Sequence, residues 1–280
     1  MAHPRLTSHQ VGEFLVTALN DGNMAASLDL LNGIESTLAE DIQRNAEITD
    51  LGNIHINGYL IRGNGYTVLV DSGTGGLNNI GGLLSKSLAE SGVTPEEIDI
   101  ILVTHGHPDH IGGLLNGDGQ PVFPHAELYL HYLEAEHWLD DHKQQQANER
   151  AQRNFTLVRR TLEAYKHKIH LLDDSDVIDG ISPVWLPGHT PGHTGFLINS
   201  KGQSLLIWGD IVHYPHVQTA HPEVSITFDI DPIQAEVTRK NILAKVSRER
   251  LLVAGMHFGM EGFAYIVPHA EGYRVAYLNE

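Results

Sequence analysis

The 280-residue chain contains no cysteine, and this absence removes a whole group of chemistries. Disulfide bonds, thiolate metal sites and cysteine nucleophiles are excluded. The chain also lacks any run of about 18 apolar residues, so the sequence predicts no membrane-spanning helix. The first ten residues, MAHPRLTSHQ, are polar and lack the apolar stretch of a secretory signal. Together these absences favour a cytoplasmic protein with no membrane partner.

Positive charge is also scarce. Only 18 lysines and arginines stand against 35 aspartates and glutamates, which gives a formal net charge of -17. A nucleic-acid partner is disfavoured because its phosphates would be repelled by this charge. The densest basic stretch has the spacing of a solvated helix face. It contains Arg159, Arg160, Lys166 and Lys168. Histidine, by contrast, is abundant at 19 residues, and it is the commonest metal ligand in proteins.

The hydrophobic pattern predicts strands that come first as hairpins and then alternate with helices, twice over. Residues 54–61 and 66–71 form a predicted hairpin around the turn RGNG. The apolar run at 98–103 predicts a strand buried on both faces. A second hairpin is predicted from 195–198 and 204–207, and residues 126–132 are predicted as a strand that leads into a helix. Further strands are predicted at 11–19, 184–186, 251–254, 264–267 and 273–277, and helices at 77–90, 133–168, 232–245 and part of 24–45. This order predicts an α/β sandwich of two mixed sheets between helices.

The strongest chemical signal is THGHPDH at 104–110, directly after the strand predicted at 98–103. His105 and His107 are two residues apart, so an extended backbone directs both side chains to one side. Asp109 and His110 follow in a turn. Imidazole and carboxylate groups are the ligands expected for zinc or a similar ion. The alternative is a histidine-rich surface loop, but such loops rarely follow a buried strand.

One such cluster cannot complete two four-coordinate sites, so further ligands are expected downstream. Three segments offer candidates, and each follows an apolar, strand-like run and contains glycine. The candidates are His189 and His193 in PGHTPGHTG, Asp210, His213 and His216 in IWGDIVHYPH, and His257 in VAGMHFG.

These motifs, taken in order, resemble the metallo-β-lactamase superfamily over about residues 10–278. The five matching elements are Asp71, the segment 105–110, His189, Asp210 and His257. Within the superfamily the chain is most similar to the lactonase and methyl-parathion-hydrolase-like branch, through PGHTPGHTG, WGDIVHYP and the C-terminal segment from Ala254. The resemblance implies one αββα domain over residues 1–280, with a helical, substrate-facing insertion at about 133–170.

The same resemblance implies two divalent metal ions per chain. Zinc is favoured, although manganese, cobalt and iron tolerate such ligands. One ion would be held by His105, His107 and His189, the other by Asp109, His110 and His257, with Asp210 bridging the two. A shared hydroxide would then be the nucleophile at neutral pH. Asp109 is also expected to orient that hydroxide during catalysis.

Three further residues are predicted to act close to the metals. Asp71 resembles an aspartate that orients a ligating histidine, with turn capping as the alternative. His193 competes with His189 for one ligand position and is expected to support or pack instead. His213 occupies the position of a tyrosine that assists the leaving group in quorum-quenching lactonases. It is therefore a candidate proton donor, with simple packing as the alternative.

The favoured activity is hydrolysis of a small lactone or carboxylic ester, acyl-homoserine lactones in particular. Organophosphate triesters are the second substrate class. Outside hydrolysis, a mononuclear iron protein or a metal-bound sensor is the alternative. Four aromatic residues are expected to line an apolar substrate pocket, unless they are ordinary core residues. They are Trp138, Phe155, Trp185 and Phe258. The resemblance also favours a homodimer.

Overall fold

The structure is a computed structural model that describes residues 6–173, 175, 177–270 and 272–278. Its strands are β1 (Ser8–Val11), β2 (Phe14–Ala25), β3 (Leu31–Asn32), β4 (Asn53–Gly63), β5 (Tyr66–Val70), β6 (Ile100–Leu102), β7 (Glu127–His131), β8 (Ile169–Leu172), β9 (Ile181–Trp185), β10 (Thr194–Ser200), β11 (Gln203–Ile207), β12 (Ser225–Ile226), β13 (Leu252–Ala254), β14 (Phe263–His269) and β15 (Gly272–Tyr277). Its α-helices are α1 (Ser36–Asn45), α2 (Leu84–Glu90), α3 (Pro108–Ile111), α4 (Tyr132–Leu139), α5 (Asp141–Gln146), α6 (Glu149–Ala164), α7 (Pro215–Ala220) and α8 (Pro232–Glu249).

Two mixed sheets organise the chain. The first has seven strands in the order β1-β2-β4-β5-β6-β7-β8, and the second has six in the order β15-β14-β13-β11-β10-β9. Strands β5 to β8 are parallel, whereas β1, β2, β4 and β5 pair antiparallel. In the second sheet β11 and β13 are parallel and the other neighbours antiparallel. A small third sheet pairs β3 with β12.

Alternating side chains pack the two sheets face to face between layers of helices. On β4 and β5, Ile61 and Val70 point into a core shared with Phe196 and Ile207 of the second sheet. Their neighbours Leu60 and Leu69 point the other way, into a core with α2, α4 and α6. The outer face of the second sheet packs on α8. Because side chains alternate along a strand, each sheet can bury both faces. The predicted αββα sandwich is confirmed.

Several predicted elements differ in detail. The hairpins are confirmed, including the pairing of β10 with β11. The segment 24–45 is helical only in α1, because β2 extends to Ala25. In the segment 77–90, the left-handed backbone at Gly81 and Gly82 delays the α-helix until Leu84. The segment 133–168 contains three helices, α4 to α6, because Asp140 and Asn148 each cap a new helix.

Four strands end at the same edge of the sandwich. They are β5 and β6 of the first sheet and β11 and β13 of the second, and their carboxyl ends meet there. The loops that leave these strands carry the polar motifs predicted to bind metal. Among the described residues, no helix is both long and apolar enough to cross a membrane.

Candidate metal centre

The segment after β6 places four predicted ligands within six residues. His107 ends the extended backbone, and Pro108 is the first residue of the short helix α3, which carries Asp109 and His110. Gly106 allows this loop to lie against Trp138, because a Cβ atom there would come within 2.4 Å of the indole Nε1. The local sequence therefore fixes both the turn and its close contact with α4.

The first group of candidate ligands consists of three imidazoles. His105 Nε2 lies 3.1 Å from His107 Nδ1, which in turn lies 2.9 Å from His189 Nε2. His105 and His189 are almost fully buried, and His107 is partly buried. Burial lowers the pKa of His105 and of His107 well below the usual histidine value. Neutral imidazoles with converging ring nitrogens are suited to hold a cation.

The second group contains two histidines and two aspartates. His110 Nε2 lies 3.4 Å from Asp109 Oδ2 and 3.2 Å from Asp210 Oδ2. His257 Nε2 lies 3.2 Å from Asp210 Oδ1. Asp210 also faces the first group, since its Oδ2 lies 3.4 Å from His189 Nε2. One carboxylate therefore lies between the two groups, and the structure brings all seven predicted ligands together.

Unpaired polar atoms test whether these residues fit metal ions. Among the described residues, three buried atoms of the second group have no hydrogen-bond partner: His110 Nε2, Asp210 Oδ1 and His257 Nε2. Buried polar atoms are nearly always satisfied, so unsatisfied ones require an explanation. Their convergence on one point, with a donor set of imidazole and carboxylate, fits divalent cations.

The second ring nitrogen of each of three ligands has its own partner. His110 Nδ1 lies 2.7 Å from Asp71 Oδ2, and His257 Nδ1 donates to the His55 carbonyl over 2.6 Å. His189 Nδ1 lies 2.8 Å from Asp229 Oδ1. Such partners orient ligating imidazoles and fix their tautomers. The structure thus places Asp71 against a candidate ligand, as the sequence predicts.

His193 lies behind the site and holds its backbone. Its Nδ1 donates to the Leu186 carbonyl over 2.8 Å, and its Nε2 accepts 2.8 Å from the backbone N–H of Asp210. Burial lowers the pKa of His193 to about 3, so the ring is neutral. Gly209 has a positive φ of 61°, and a Cβ atom there would lie 2.4 Å from His193 Nε2. The His193 ring therefore contacts Asp210 at the backbone N–H of Asp210.

His213 lies beside both groups. Its Nε2 is 3.1 Å from Asp210 Oδ2, and its ring stacks on His257 with centroids 4.8 Å apart. Its Nδ1 is buried without a hydrogen-bond partner among the described residues. Burial lowers the pKa of His213 to about 4, so the side chain is a neutral imidazole at pH 7.

Glu134 of α4 is a residue that the sequence reasoning did not identify. Its side chain is fully buried and accepts four hydrogen bonds. Oε2 accepts from Gly106 N at 2.9 Å and from Trp138 Nε1 at 2.6 Å. Oε1 accepts from Gly192 N at 3.0 Å and from the Thr190 hydroxyl. One carboxylate thereby joins the loop of His105 and His107 to the loop of His189.

Asp229 was also not identified from the sequence. Besides His189, it contacts the buried Arg239, whose Nη2 lies 3.5 Å from Asp229 Oδ2. Burial alone would raise the pKa of Asp229, but the His189 and Arg239 side chains lower it to about 2. Neither Asp229 nor Glu134 stands in a glycine-rich histidine motif. The only signal in the sequence was that Glu134 and Trp138 share one helix face.

Two cavities open onto the candidate site. The larger, of about 770 Å³, is lined by Asp109, Asp210 and His213, together with residues of β2, β4 and α6. The smaller, of about 260 Å³, is also lined by His107, and it shares Arg150, Asn154 and Phe228 with the larger cavity.

The predicted pocket aromatics divide between these cavities and the rest of the protein. Trp138 and Phe155 line the smaller cavity. Trp185 and Phe258 do not have the predicted position. Trp185 is 50% exposed, stacks on His131 and donates to the Pro191 carbonyl. Phe258 is buried in the core, where its ring packs against Trp208 and Tyr277.

Comparisons with known proteins agree with this geometry. The family model described as the metallo-beta-lactamase superfamily matches residues 51–257. In sequence, metallo-beta-lactamase domain-containing protein 1 of Mus musculus is 44% identical over 63 residues, which are 22% of this chain and 21% of that protein. The anti-Pycsar protein Apyc1 of Saccharibacillus brassicae is 40% identical over 70 residues, or 25% and 26% of the two chains. The chain thus matches about a quarter or less of the length of these curated relatives.

Two solved structures are similar over nearly their full length. The hydrolase AbOPH of the beta lactamase superfamily has a TM-score of 0.91 and 29% identity, with 99% of each chain covered. AidC, a dizinc quorum-quenching lactonase solved in complex with a product, has a TM-score of 0.90 and 24% identity, with 96% of each chain covered. The latter likeness concerns the fold.

Proposed function

Because the chain belongs to the metallo-β-lactamase superfamily, we propose that it is a dinuclear metal-dependent hydrolase acting on a lactone or carboxylic ester. The observation that carries this proposal is the position of Asp210 between two groups of candidate ligands. A single metal ion would not need both groups. The shared carboxylate therefore favours two ions over the mononuclear iron protein or sensor.

The residues assigned to the metals are those of the two groups. We assign one ion to His105, His107 and His189 and the other to Asp109, His110 and His257, with Asp210 shared. When bound, such a pair of ions supplies a hydroxide nucleophile at neutral pH and polarises the carbonyl of the substrate. Zinc is the proposed metal, since three imidazoles and a carboxylate suit it.

The protein's own side chains then position the reactants. Asp109 lines the larger cavity and is assigned to accept a hydrogen bond from the attacking O–H. His213 lines the same cavity, and we assign it to donate an N–H hydrogen bond to the leaving oxygen. Asp71 and Asp229 hold His110 and His189 in the orientation that ligation needs.

The larger cavity favours an acyl substrate over an aryl phosphotriester. Its apolar wall is mainly aliphatic, and Phe228 is its one phenylalanine among the described lining residues. An aryl triester pocket would be expected to present more aromatic surface. Helix α6 contributes to this wall, so we infer that residues 133–170 form the substrate-facing part of a single domain. AidC is a lactonase of the same fold, which supports acyl-homoserine lactones as the first substrates to assay.

The test is a turnover screen of the zinc-loaded protein against an acyl-homoserine lactone, an aryl ester and an aryl phosphotriester. We expect two metal ions per chain by elemental analysis, and hydrolysis of the lactone or ester with the highest kcat/KM. Asp210→Asn should lose turnover, while Asp41→Asn on the exposed face of α1 serves as the matched control. One iron per chain without hydrolysis would contradict the proposal.

A further inference from the structure

The larger cavity has an unusual distribution of charge for so acidic a chain. Apart from the candidate metal ligands Asp109 and Asp210, its charged lining residues are all arginines of α6. We propose that Arg150, Arg153 and Arg160 form an anion-binding subsite in the substrate cavity. The proposal rests on the proposed hydrolase function and adds a substrate class to it: esters or lactones that carry an apolar chain and a separate anionic group.

The helix geometry explains why these three arginines share one face. Their spacings of three and seven residues bring them to the same side of α6, together with Asn154 and Leu157. Arg159 shows the contrast. It lies on another face, where it donates to the Trp138 carbonyl and pairs with Asp141. The sequence predicts that this basic stretch is a solvated helix face. In the structure Arg160 instead lines the cavity, whereas Arg159 contacts Trp138 and Asp141.

The guanidinium groups of this face have few competing partners. Among the described residues, Arg160 forms no ion pair, and Arg150 forms none with a carboxylate. Arg150 instead lies over the Phe228 ring, 4.3 Å from its centroid. Arg153 pairs with Glu149 at 2.8 Å, but both side chains are largely exposed, and such pairs contribute little. None of the three guanidinium groups is held in a buried ion pair among the described residues, so each can bind an anion from the cavity.

Phe228 links this subsite to the reaction centre. Its ring contacts the Arg150 guanidinium, and its centroid lies 5.9 Å from the centroid of the His213 ring. A ligand could therefore bridge the metal edge and the arginines within one cavity. Divalent metal ions would offset the charge of Asp109 and Asp210. The cavity would then be cationic, although the net charge of the chain is -17.

The aliphatic part of the cavity lining suits an apolar portion of the ligand. Met24, Leu30, Ile54 and Ile56 form an aliphatic surface along the cavity. An alkyl chain buried there would leave water while its anionic end reached the arginines. Guanidinium groups favour carboxylates and phosphate-type oxyanions because they offer paired donors.

A matched pair of esters tests the subsite. One is the p-nitrophenyl ester of a straight-chain acid, and the other is the p-nitrophenyl half-ester of the dicarboxylic acid of equal length. We expect the zinc-loaded wild type to give a higher kcat/KM for the half-ester, with a preference that declines as salt screens the charges. Equal kcat/KM for the two esters would overturn the subsite while leaving the hydrolase proposal intact.

The variants R150Q, R153Q and R160Q are compared by one quantity, the kcat/KM for the half-ester divided by the kcat/KM for the straight-chain ester. Each should lower this ratio by about two- to fivefold, and the triple variant by about tenfold, as expected for partly exposed ion pairs. R248Q, on the exposed end of α8, makes the same charge change away from the cavity and should leave the ratio unchanged. A ratio that falls equally in R248Q would mean that only overall charge matters, against the proposal.

If neither ester is hydrolysed, a ligand-binding measurement distinguishes the subsite proposal from the hydrolase proposal. Calorimetric titration with a straight-chain fatty acid and its primary amide should show tighter binding of the acid, and the triple variant should lose that difference. That result, without turnover, would refute the hydrolase and retain the subsite. A difference that survives in the triple variant would place the carboxylate elsewhere and refute the subsite. Titration with an alkyl phosphonate of the same chain length as the fatty acid then shows which of the two oxyanions binds more tightly.

Discussion

Asp229 Oδ1 lies 2.8 Å from His189 Nδ1, and this contact connects a candidate metal ligand to the buried side chain of Arg239. Backbone hydrogen bonds from Ile230 N to the His189 carbonyl and from Asp231 N to the Gly188 carbonyl hold the same two segments together. The imidazole of His189 is therefore oriented by a carboxylate that is itself fixed in place. Arg239 is held in turn by the carbonyls of Ile211, Pro222 and Val224.

Asp229→Asn should weaken metal binding without changing any ligand. The amide keeps the shape of the side chain but removes the charge that polarises His189, and loss of such a partner typically costs about 10- to 100-fold in metal affinity. Competition with a chromophoric chelator measures this directly. Asp41→Asn, at an exposed position of α1, controls for the charge change. Unaltered zinc affinity in Asp229→Asn would show that the contact does not support ligation.

Glu134→Gln should loosen the two ligand loops at once. Both carboxylate oxygens accept from two donors, so an amide nitrogen in either place would face N–H or O–H groups. A buried donor without an acceptor costs about 1–3 kcal/mol, and we expect a loss of unfolding free energy in this range. Turnover should fall as well, because His107 and His189 lose their common anchor.

Denaturant unfolding and kcat together check the Glu134 prediction. Glu136→Gln is the matched control, since Glu136 is exposed on the same helix. If both variants unfolded at the same denaturant concentration, the four hydrogen bonds of Glu134 would have no stabilising role.

The sequence predicts the part of the site whose residues are local or in ordered motifs. His105 to His110 form one turn after one strand, so their proximity follows from neighbouring positions alone. Glu134 and Asp229 approach the ligands only through tertiary packing, 28 residues from Gly106 and 40 residues from His189. No local pattern distinguishes Asp229 from the many exposed carboxylates, and the helix face that Glu134 shares with Trp138 is the one local signal for Glu134.

Secondary structure is likewise predictable from the sequence where the pattern is local, and less so where long-range pairing decides it. The long apolar strands and their hairpins have clear alternation, and their pairing follows from it. The segment 24–45 is amphipathic in part, but the extra residues of β2 pair with β4 across a bulge at Asn20 and Gly22. That pairing is long-range, so β2 continues where the local pattern favoured a helix. The positions of Trp185 and Phe258 likewise depend on long-range packing, against His131 and Trp208 respectively.

Loss of metal should destabilise the fold. Without cations, buried His110 and His257 surround Asp210 with polar atoms that lack partners, and this arrangement is unfavourable in a low-dielectric interior. Ligands that bind only the folded state stabilise it, by about 4 kcal/mol at a 1,000-fold excess over Kd. Dialysis against a chelator should therefore lower Tm by several degrees, and zinc should restore it. A Tm independent of zinc would count against these residues as a metal centre.

His137 should make stability fall at acid pH. Burial lowers the pKa of this side chain to about 4 from its ordinary 6.5, and its Nδ1 has no hydrogen-bond partner among the described residues. The unfolded chain therefore binds more protons than the folded one between these values. The contribution of neutral His137 to the free energy of unfolding is therefore complete above pH 6.5 and is lost as the pH falls through 4.

His137→Gln removes this titration. Tm of the zinc-loaded variant should decline less between pH 7.5 and 5 than Tm of the wild type. Metal loss at low pH affects both proteins, so the difference between their slopes isolates His137. Parallel slopes would mean that His137 does not titrate in this interval.

His213→Ala should retain two metal ions and lose turnover in a way that depends on the leaving group. The ring lies 3.1 Å from Asp210 and lines the larger cavity, but the other seven candidate ligands form both groups without it. A hydrogen-bond donor to the leaving oxygen matters most when that oxygen is a poor leaving group, and loss of one such donor typically lowers kcat by about 10²–10³-fold. We therefore expect kcat to fall by about 100-fold for alkyl esters or lactones and much less for p-nitrophenyl esters. His142→Ala, at an exposed position of α5, is the control. An equal loss for both leaving groups, with metal content unchanged, would assign His213 to packing against His257 rather than to the reaction.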